Sequence, residues 1–158
     1  MVNDLLLRDG RGFYLSSSPM HLLHRLNQRA SEIFDGQIKD GLLTALQFTV
    51  LLVVSKEEGL SQTALVQRTG IDRSTLADIV KRLINKGLLN RQRTKQDARA
   101  YSVKLTENGS IALRVAGPVA RSVDETILSR FPDGQRERFI SDLKTILNGL
   151  ENNSLLSP

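Results

Sequence analysis

Apolar residues recur every three to four positions along most of the chain, the spacing that places them on one face of an α-helix. Ser18 and Pro19 supply a candidate N-cap and a first helical residue. A first amphipathic helix is therefore expected to run to about Lys39, and a second from near Thr44 to the sequence KEEG. The apolar positions are Leu22, Leu23, Leu26, Ala30, Ile33 and Phe34 in the first helix, then Leu46, Val50, Leu51 and Val54 in the second.

The next segment, LSQTALVQRTGIDRSTLADIVKRLINKGLL, predicts two short helices joined by a tight turn. Ser61 can cap the first of them, Gly70 can end it, and Asp72 can cap the second. The second helix has one apolar face, formed by Leu76, Ile79, Val80, Leu83 and Ile84, and its opposite face is polar and basic. This arrangement is typical of a helix-turn-helix, although a helical hairpin within a bundle would show the same pattern.

Two short strands are expected at residues 88–93 and 100–105, where apolar and polar residues alternate. The loop between them is the basic sequence TKQDAR. A helical bundle has no need of a basic hairpin here, whereas a helix-turn-helix followed by a hairpin is a winged helix. The predicted fold is therefore mainly α with a small two-stranded β wing.

Two further helices are expected after the wing. Thr106 can cap the first, which we expect to be interrupted and kinked at Gly117-Pro118 and to end around RFPDG. The last helix carries a nearly continuous apolar stripe, formed by Phe139, Ile140, Leu143, Ile146, Leu147 and Leu150. These stripes exceed what one small winged domain can cover, which favours a dimer. The expected divisions are an N-terminal arm (1–17), a helical dimerisation region (18–43 and 107–151), a winged helix-turn-helix (44–106) and a flexible tail (152–158).

Positive charge is concentrated in the middle of the chain. Residues 61–105 hold ten basic and three acidic residues, a net charge of +7, while the whole chain has +5. A basic segment in an otherwise balanced protein is the electrostatic footprint of a protein that binds a polyanion. A solvated basic face is the alternative, and the predicted wing favours DNA.

Several classes of function are disfavoured by composition and motifs. The chain has no cysteine, which removes disulfides, thiolate nucleophiles and zinc–sulfur sites. It shows no apolar run of membrane-spanning length and no signal-peptide pattern, so a cytoplasmic location and no membrane partner are expected. Neither a phosphate-binding glycine motif nor a catalytic constellation is present, so we expect no enzyme and no cofactor.

The sequence of residues 87–109, GLLNRQRTKQDARAYSVKLTENG, resembles the wing signature of the MarR family of bacterial transcription regulators. Asp97, Arg99, Leu105, Thr106 and Gly109 match the family pattern in register, and the order of the helices matches over roughly residues 18–151. The departures are Ala98, where the family often has a second basic residue, and the Gly-Pro in the fifth helix.

The resemblance implies that the second helix of the helix-turn-helix enters the major groove of double-stranded DNA while the wing enters the minor groove. It makes Arg99 the minor-groove probe and Asp97 its orienting partner. The candidate contacts on the recognition helix are Arg73, Ser74, Thr75, Asp78, Lys81 and Arg82, and the candidate phosphate contacts of the hairpin are Arg91, Arg93 and Lys95. Ser74 could equally serve in helix capping, and Asp78 could accept from a base or pair with Lys81 or Arg82.

The family also implies a homodimer with interlocked first and last helices, a pseudo-palindromic operator, and a small anionic aromatic ligand or CoA thioester. Candidate ligand contacts are His21, His24, Arg25, Gln47 and Phe48. The two histidines could instead be satisfied by backbone or solvent. A metal site is not expected, because the chain has no other histidine and no cysteine to complete it.

The leading hypothesis is a dimeric, ligand-responsive repressor of an operon for aromatic, phenolic or acyl-CoA metabolism, efflux or stress response. One alternative is a constitutive, architectural DNA-binding protein without an effector. Another is a winged-helix protein-interaction module, for which Arg99 would be dispensable.

Overall fold

The computed structural model describes residues 15–57, 59–93 and 101–154. These residues form short 3-10 turns at Leu15–Ser17 and Lys39–Gly41, six α-helices and one antiparallel hairpin. In chain order the main elements are α1 (Pro19–Gln37), α2 (Ala45–Lys56), α3 (Gln62–Thr69), α4 (Arg73–Asn85), β1 (Leu89–Arg93), β2 (Tyr101–Leu105), α5 (Glu107–Leu128) and α6 (Arg136–Ser154). The predicted mainly α fold with a two-stranded hairpin is confirmed.

Polar side chains at the helix starts explain where five of the helices begin. Each accepts a hydrogen bond from the backbone N–H three residues later, which satisfies a donor that the first helical turn leaves unpaired. The capping residues are Ser18, Ser61, Asp72 and Thr106, as expected, and also Thr44, near which α2 was expected to begin. Helix α3 ends at Gly70, whose φ of 67° is in the left-handed region that glycine adopts without strain.

The chain divides into two compact units, Met1–Arg121 and Ser122–Pro158. The core of the first unit is formed by large apolar side chains from the α1–α2 connection, α2, α3, α4 and β1, namely Leu43, Val50, Leu51, Val54, Leu65, Leu76, Leu83 and Leu89. Helix α1 packs on α2 through Phe34 and Phe48, whose ring centroids are 5.4 Å apart.

The hairpin is tied to the start of α3 as well as to itself. Its register pairs Leu89 with Leu105 at the base and Arg93 with Tyr101 at the outer end. Ser102 forms an isolated bridge with Ser61, the N-cap of α3. The base of the wing is therefore held against the helix-turn-helix.

Helix α5 differs from its prediction. It continues from Glu107 to Leu128 with Pro118 inside it, so the expected interruption at Gly117-Pro118 is wrong. Proline disfavours the helical conformation of the preceding residue largely through a clash with that residue's Cβ, and Gly117 has none.

The second unit contains the last turns of α5, a connection and α6. The rings of Phe131 and Phe139 stack with centroids 4.4 Å apart, which joins the connection to α6. Helix α6 continues to Ser154, so the first three residues of the predicted tail are helical. Residues 1–14 of the predicted arm and 155–158 of the predicted tail lie outside the described residues.

Several large apolar side chains remain exposed within each unit. They are Met20, Leu22, Leu23 and Leu26 on α1, Ile111 and Val115 on α5, and Ile140, Ile146, Leu147 and Leu150 on α6. None of the helices in the described ranges combines the length and the apolar character that crossing a membrane requires.

Candidate nucleic-acid interface

Helix α4 presents one polar face to solvent. Its apolar face is anchored by Leu76, Ile79 and Leu83, which are all buried in the first unit. All six sequence-predicted contacts of this helix, Arg73, Ser74, Thr75, Asp78, Lys81 and Arg82, are exposed. The helix therefore offers its charged side to a partner while its apolar side holds it in place.

The N-terminus of α4 is closed by a network around Asp72. The Oδ1 of Asp72 accepts from the backbone N–H of Thr75 at 2.9 Å and from the hydroxyl of Ser74 at 2.7 Å. The N–H of Thr75, followed by the hydroxyl of Ser74, holds the pKa of this carboxyl well below its ordinary value. The hydroxyl of Ser74 is thus engaged in capping, which was one of its two expected roles.

A cleft of about 680 Å³ lies between α3, α4 and the hairpin. Arg73 and Lys81 of α4 line one side, and Arg91 and Tyr101 of the hairpin line another. The apolar residues of its lining include Ala77, Val80, Ile84 and Val103. No carboxylate occurs among the described residues that line it, so three cations converge on one surface without a neutralising partner.

The cations of this surface also have no carboxylate partner in the rest of the described chain. Within residues 15–57, 59–93 and 101–154, none of Arg73, Lys81, Arg82 and Arg91 forms an ion pair with a carboxylate. Arg68, by contrast, pairs with Glu57 at 2.9 Å. Asp78 pairs with neither Lys81 nor Arg82 in the described part of the chain. Unpaired cations on an exposed helix and hairpin suit the phosphates of a nucleic acid.

Arg91 is held by an aromatic ring. Its guanidinium carbon lies over the ring of Tyr101, 4.6 Å from the centroid, which is within the distance of a cation–π interaction. The sequence reasoning found Arg91 but not Tyr101. A signal was present, since the alternation along β2 places Tyr101 on the same face as Val103, the partner of Arg91 in the register.

The wing tip carries the most specific sequence predictions. Lys95, Asp97 and Arg99 lie outside the described residues, as does Ala98, and for Arg93 only the backbone position is described. Their roles therefore stay predictions.

None of the predicted ligand contacts lines the cleft between α3, α4 and the hairpin. His21, His24 and Arg25 lie on α1, where His21 is half-buried and the other two are exposed. No cluster of His, Asp or Glu side chains suited to a metal ion occurs among the described residues.

The other two candidates have structural contacts. Gln47 is only 5% exposed, and its Oε1 accepts from the backbone N–H of Thr44 at 3.3 Å and from the Nζ of Lys86 at 3.5 Å. Lys86, at the end of α4, also donates to the carbonyl oxygen of Leu42 at 3.0 Å. Gln47 thus joins α2 to the end of α4, while Phe48 packs on Phe34.

Comparison with known proteins places this geometry in a family. The model of the MarR family matches residues 41–100. The HTH-type transcriptional repressor NicR of Pseudomonas putida is 32% identical over 132 residues, which cover 84% of this chain and 84% of NicR. The chain belongs to the MarR family.

Solved structures of MarR-type regulators have the same fold. BpsR of Bordetella bronchiseptica, whose structure concerns regulation of its DNA binding by 6-hydroxynicotinic acid, superposes with a TM-score of 0.78 at 28% identity, covering 85% of this chain and 96% of BpsR. The transcriptional repressor CouR, bound to a 23-mer DNA duplex, has a TM-score of 0.74 at 28% identity, covering 84% of this chain and 94% of CouR.

MarR-family proteins are DNA-binding transcriptional regulators and not enzymes. The family resemblance of the wing sequence and the winged helix-turn-helix fold are therefore confirmed. Helix α4 is the second helix of the helix-turn-helix in this fold, and the hairpin β1–β2 is its wing.

Proposed function

We propose that this MarR-family protein is a dimeric, ligand-responsive transcriptional repressor. Helix α4 enters the major groove of a pseudo-palindromic operator, and the wing enters the adjacent minor groove through Arg99, oriented by Asp97. Arg73, Thr75 and Asp78 face base edges, and Lys81, Arg82, Arg91, Arg93 and Lys95 contact phosphates.

The observation that carries the proposal is the convergence of Arg73, Lys81 and Arg91 on one exposed surface that has no carboxylate among its described lining residues. Each cation that meets a phosphate releases a counterion, so such a surface gains affinity for DNA. The proposal that the wing and the recognition helix bind DNA together is supported by the bridge between Ser102 of the hairpin and Ser61, the N-cap of α3. This bridge holds the base of the hairpin against the helix-turn-helix.

The proposal of a dimer rests on the exposed apolar side chains of α1 and α6. Leu22, Leu23 and Leu26 are 45%, 43% and 50% exposed on α1, and Leu147 is 57% exposed on α6. Apolar faces of this kind are buried by another element or by a second copy. We assign residues 18–43 and 107–151 to dimerisation and residues 44–106 to DNA binding. Two-fold symmetry then places the two half-sites about one helical turn apart.

The effector is proposed to be a small anionic aromatic compound, free or as a CoA thioester. BpsR, a structural relative, is regulated by 6-hydroxynicotinic acid. In this chain His21, His24 and Arg25 are the donors of α1 that suit a carboxylate, phenol or thioester. Gln47 and Phe48 act on ligand binding indirectly. Gln47 accepts a hydrogen bond from Lys86, and Phe48 packs on Phe34. A ligand that favours a spacing of the recognition helices unsuited to successive major grooves would release DNA, with a coupling of about 1–3 kcal/mol.

The first test selects binding sequences from a randomised duplex library with the full chain. We expect enrichment of a pseudo-palindrome with half-sites about 10 base pairs apart. Enrichment of a single half-site, or of bent A·T-rich DNA without symmetry, would favour an architectural protein, and no enrichment would favour a protein-interaction module.

The second test measures release from the selected duplex by fluorescence anisotropy with benzoates, hydroxynicotinates, cinnamates and their CoA esters. An active compound should lose effect on His24→Ala and Arg25→Ala, whereas Arg29→Ala on the same helix, whose side chain pairs with Glu32, should respond as wild type. If no compound shifts the curve, or if the variants respond as wild type does, the assignment of the ligand site to α1 fails and only the DNA-binding part of the proposal stands.

A further inference from the structure

The hairpin places one aromatic ring against one cation at the entrance of the cleft. Arg91 pairs with Val103 and Tyr101 pairs with Arg93, so Arg91 and Tyr101 are diagonal neighbours on the same face of the sheet. The guanidinium carbon of Arg91 lies 4.6 Å from the ring centroid of Tyr101. Both side chains line the cleft to which Arg73 and Lys81 contribute from α4.

On this face of the hairpin, the solvent exposure of the side chains increases from the base to the outer end. Leu89 at its base and Val103 in the middle of β2 are 0% and 6% exposed, while Tyr101 at its outer end is 42% exposed. The ring of Tyr101 therefore stands at the edge of the packed core, on a paired strand. A tyrosine side chain has only two rotatable side-chain torsions, so this ring forms a platform at low cost in conformational entropy.

We propose that Tyr101 is a positioning residue for DNA binding, which holds the guanidinium of Arg91 ready for a DNA phosphate. The proposal rests on the proposed function and extends it to a residue outside the predicted contacts. A guanidinium lying over an aromatic ring uses its face for the ring and keeps its in-plane N–H donors for a phosphate.

The choice of an aromatic partner has an electrostatic consequence. A carboxylate would hold Arg91 equally well but would cancel the charge that a phosphate needs. Within the described ranges no carboxylate pairs with Arg91. The ring thus restricts the arginine, a long side chain that otherwise loses much rotamer freedom on binding, and leaves its positive charge intact.

The experiment is a double-mutant cycle on the full chain. The probes are the duplex selected with the wild-type protein and an unrelated duplex of equal length, both titrated over a series of salt concentrations. The variants are Tyr101→Phe, Tyr101→Leu, Arg91→Ala and the double variant Arg91→Ala/Tyr101→Leu, with thermal melting of each as a check of folding.

We expect Tyr101→Phe to bind within about 2-fold of wild type because its ring is kept. Tyr101→Leu should weaken binding to both duplexes by about 2- to 5-fold per half-site, the effect of an exposed cation–π contact. It should also reduce the salt slope by up to about one per subunit, although no charge has been removed, because the phosphate contact of Arg91 is loosened. In the Arg91→Ala background, Tyr101→Leu should change nothing further.

Three outcomes would overturn the inference. Equal losses for Tyr101→Phe and Tyr101→Leu would mean that the phenol hydroxyl itself binds DNA. Additive losses in the double variant would mean that Tyr101 and Arg91 act independently. A loss that follows a lowered melting temperature, with an unchanged salt slope, would mean that the ring only stabilises the wing. If wild type shows no salt-dependent binding to either duplex, the proposed function fails as well, which separates that failure from these three.

Discussion

Individual residues of the wing signature have identifiable physical roles. The Oγ1 of Thr106 donates to the carbonyl oxygen of Gly87 at 2.7 Å and accepts from the backbone N–H of Gly109 at 2.9 Å. A Cβ at Gly109 would collide with the carbonyl oxygen of Leu88 and would come within 2.8 Å of the Cδ1 of Leu105. These residues bring the first turn of α5 against the base of the hairpin.

Substitution of Gly109 tests this close approach. Gly109→Ala should lower the free energy of unfolding by about 1–3 kcal/mol, because the added methyl group meets backbone that cannot move freely. Gly36→Ala on α1 is the matched control, since no atom lies within 4 Å of its Cβ position. It should be neutral or stabilise by up to about 1 kcal/mol. Equal stabilities in urea unfolding would contradict the packing described here.

The lowered pKa of the capping residue Asp72 should make the stability of the fold depend on pH. Since its folded pKa is below the ordinary value, its ionised form stabilises the fold fully above about pH 4, and the contribution is lost as pH falls through the folded pKa. Asp72→Asn keeps a capping oxygen but has no charge to lose. The melting temperature of wild type should exceed that of Asp72→Asn at pH 7, and the difference should shrink on acidification. A difference independent of pH would be inconsistent with a cap that acts through its charge.

At the scale of elements, most of the fold followed from capping residues and apolar periodicity. Ser18, Ser61, Asp72 and Thr106 cap the helices that they were expected to cap, and Thr44 caps the helix that was expected to begin near it. The expected interruption at Gly117-Pro118 does not occur, because the residue before the proline is a glycine. Gly117 has no Cβ, which removes part of the steric clash that disfavours a helix before proline.

The candidate site was only partly predictable. The polar face of α4 follows from helical period alone, because residues opposite a buried stripe are exposed. The cleft requires the pairing of β1 with β2 and the placement of both against α4, which no local pattern contains. For this reason Arg91 was identified by charge, while Tyr101 and Ala77 were missed. The roles of Gln47 and Phe48 in packing were hidden for the same reason.

Substitutions in the wing should weaken DNA binding in two different ways. Arg99→Ala should abolish tight operator binding, through loss of a minor-groove contact of about 1–3 kcal/mol per subunit, with little change in melting temperature. Lys95→Ala should weaken binding to all sequences alike and reduce the salt slope by about one per subunit. Unchanged affinity of Arg99→Ala in a gel-shift titration would count against the assignment of the wing to the minor groove.

At the scale of the whole molecule, the proposed repressor is a dimer of two copies of the chain. Leu147 of α6 is 57% exposed and is expected to be buried between subunits. Leu147→Glu should therefore yield a folded monomer, while Asn148→Glu, which adds the same charge at the neighbouring exposed position, should remain dimeric. Light scattering of both variants decides the point, and a dimeric Leu147→Glu would refute the assignment of α6 to the interface.

The central claim is that α4 and the hairpin form the DNA-binding surface, and the salt dependence of binding tests it most directly. The measurement compares wild type with Arg73→Ala/Lys81→Ala/Arg91→Ala and with Arg114→Ala/Arg121→Ala/Arg130→Ala, a control that removes the same charge from exposed positions elsewhere. Because these control positions lie in the region assigned to dimerisation, light scattering first checks that the control variant is a dimer. On the selected duplex, the first variant should lose about 0.9 of salt slope for each phosphate contact removed, or about 4 for the four contacts of Lys81 and Arg91 in a dimer, while the control should keep nearly the wild-type slope. Equal slopes for the two variants would contradict the account, because binding would then depend on net charge and not on this surface.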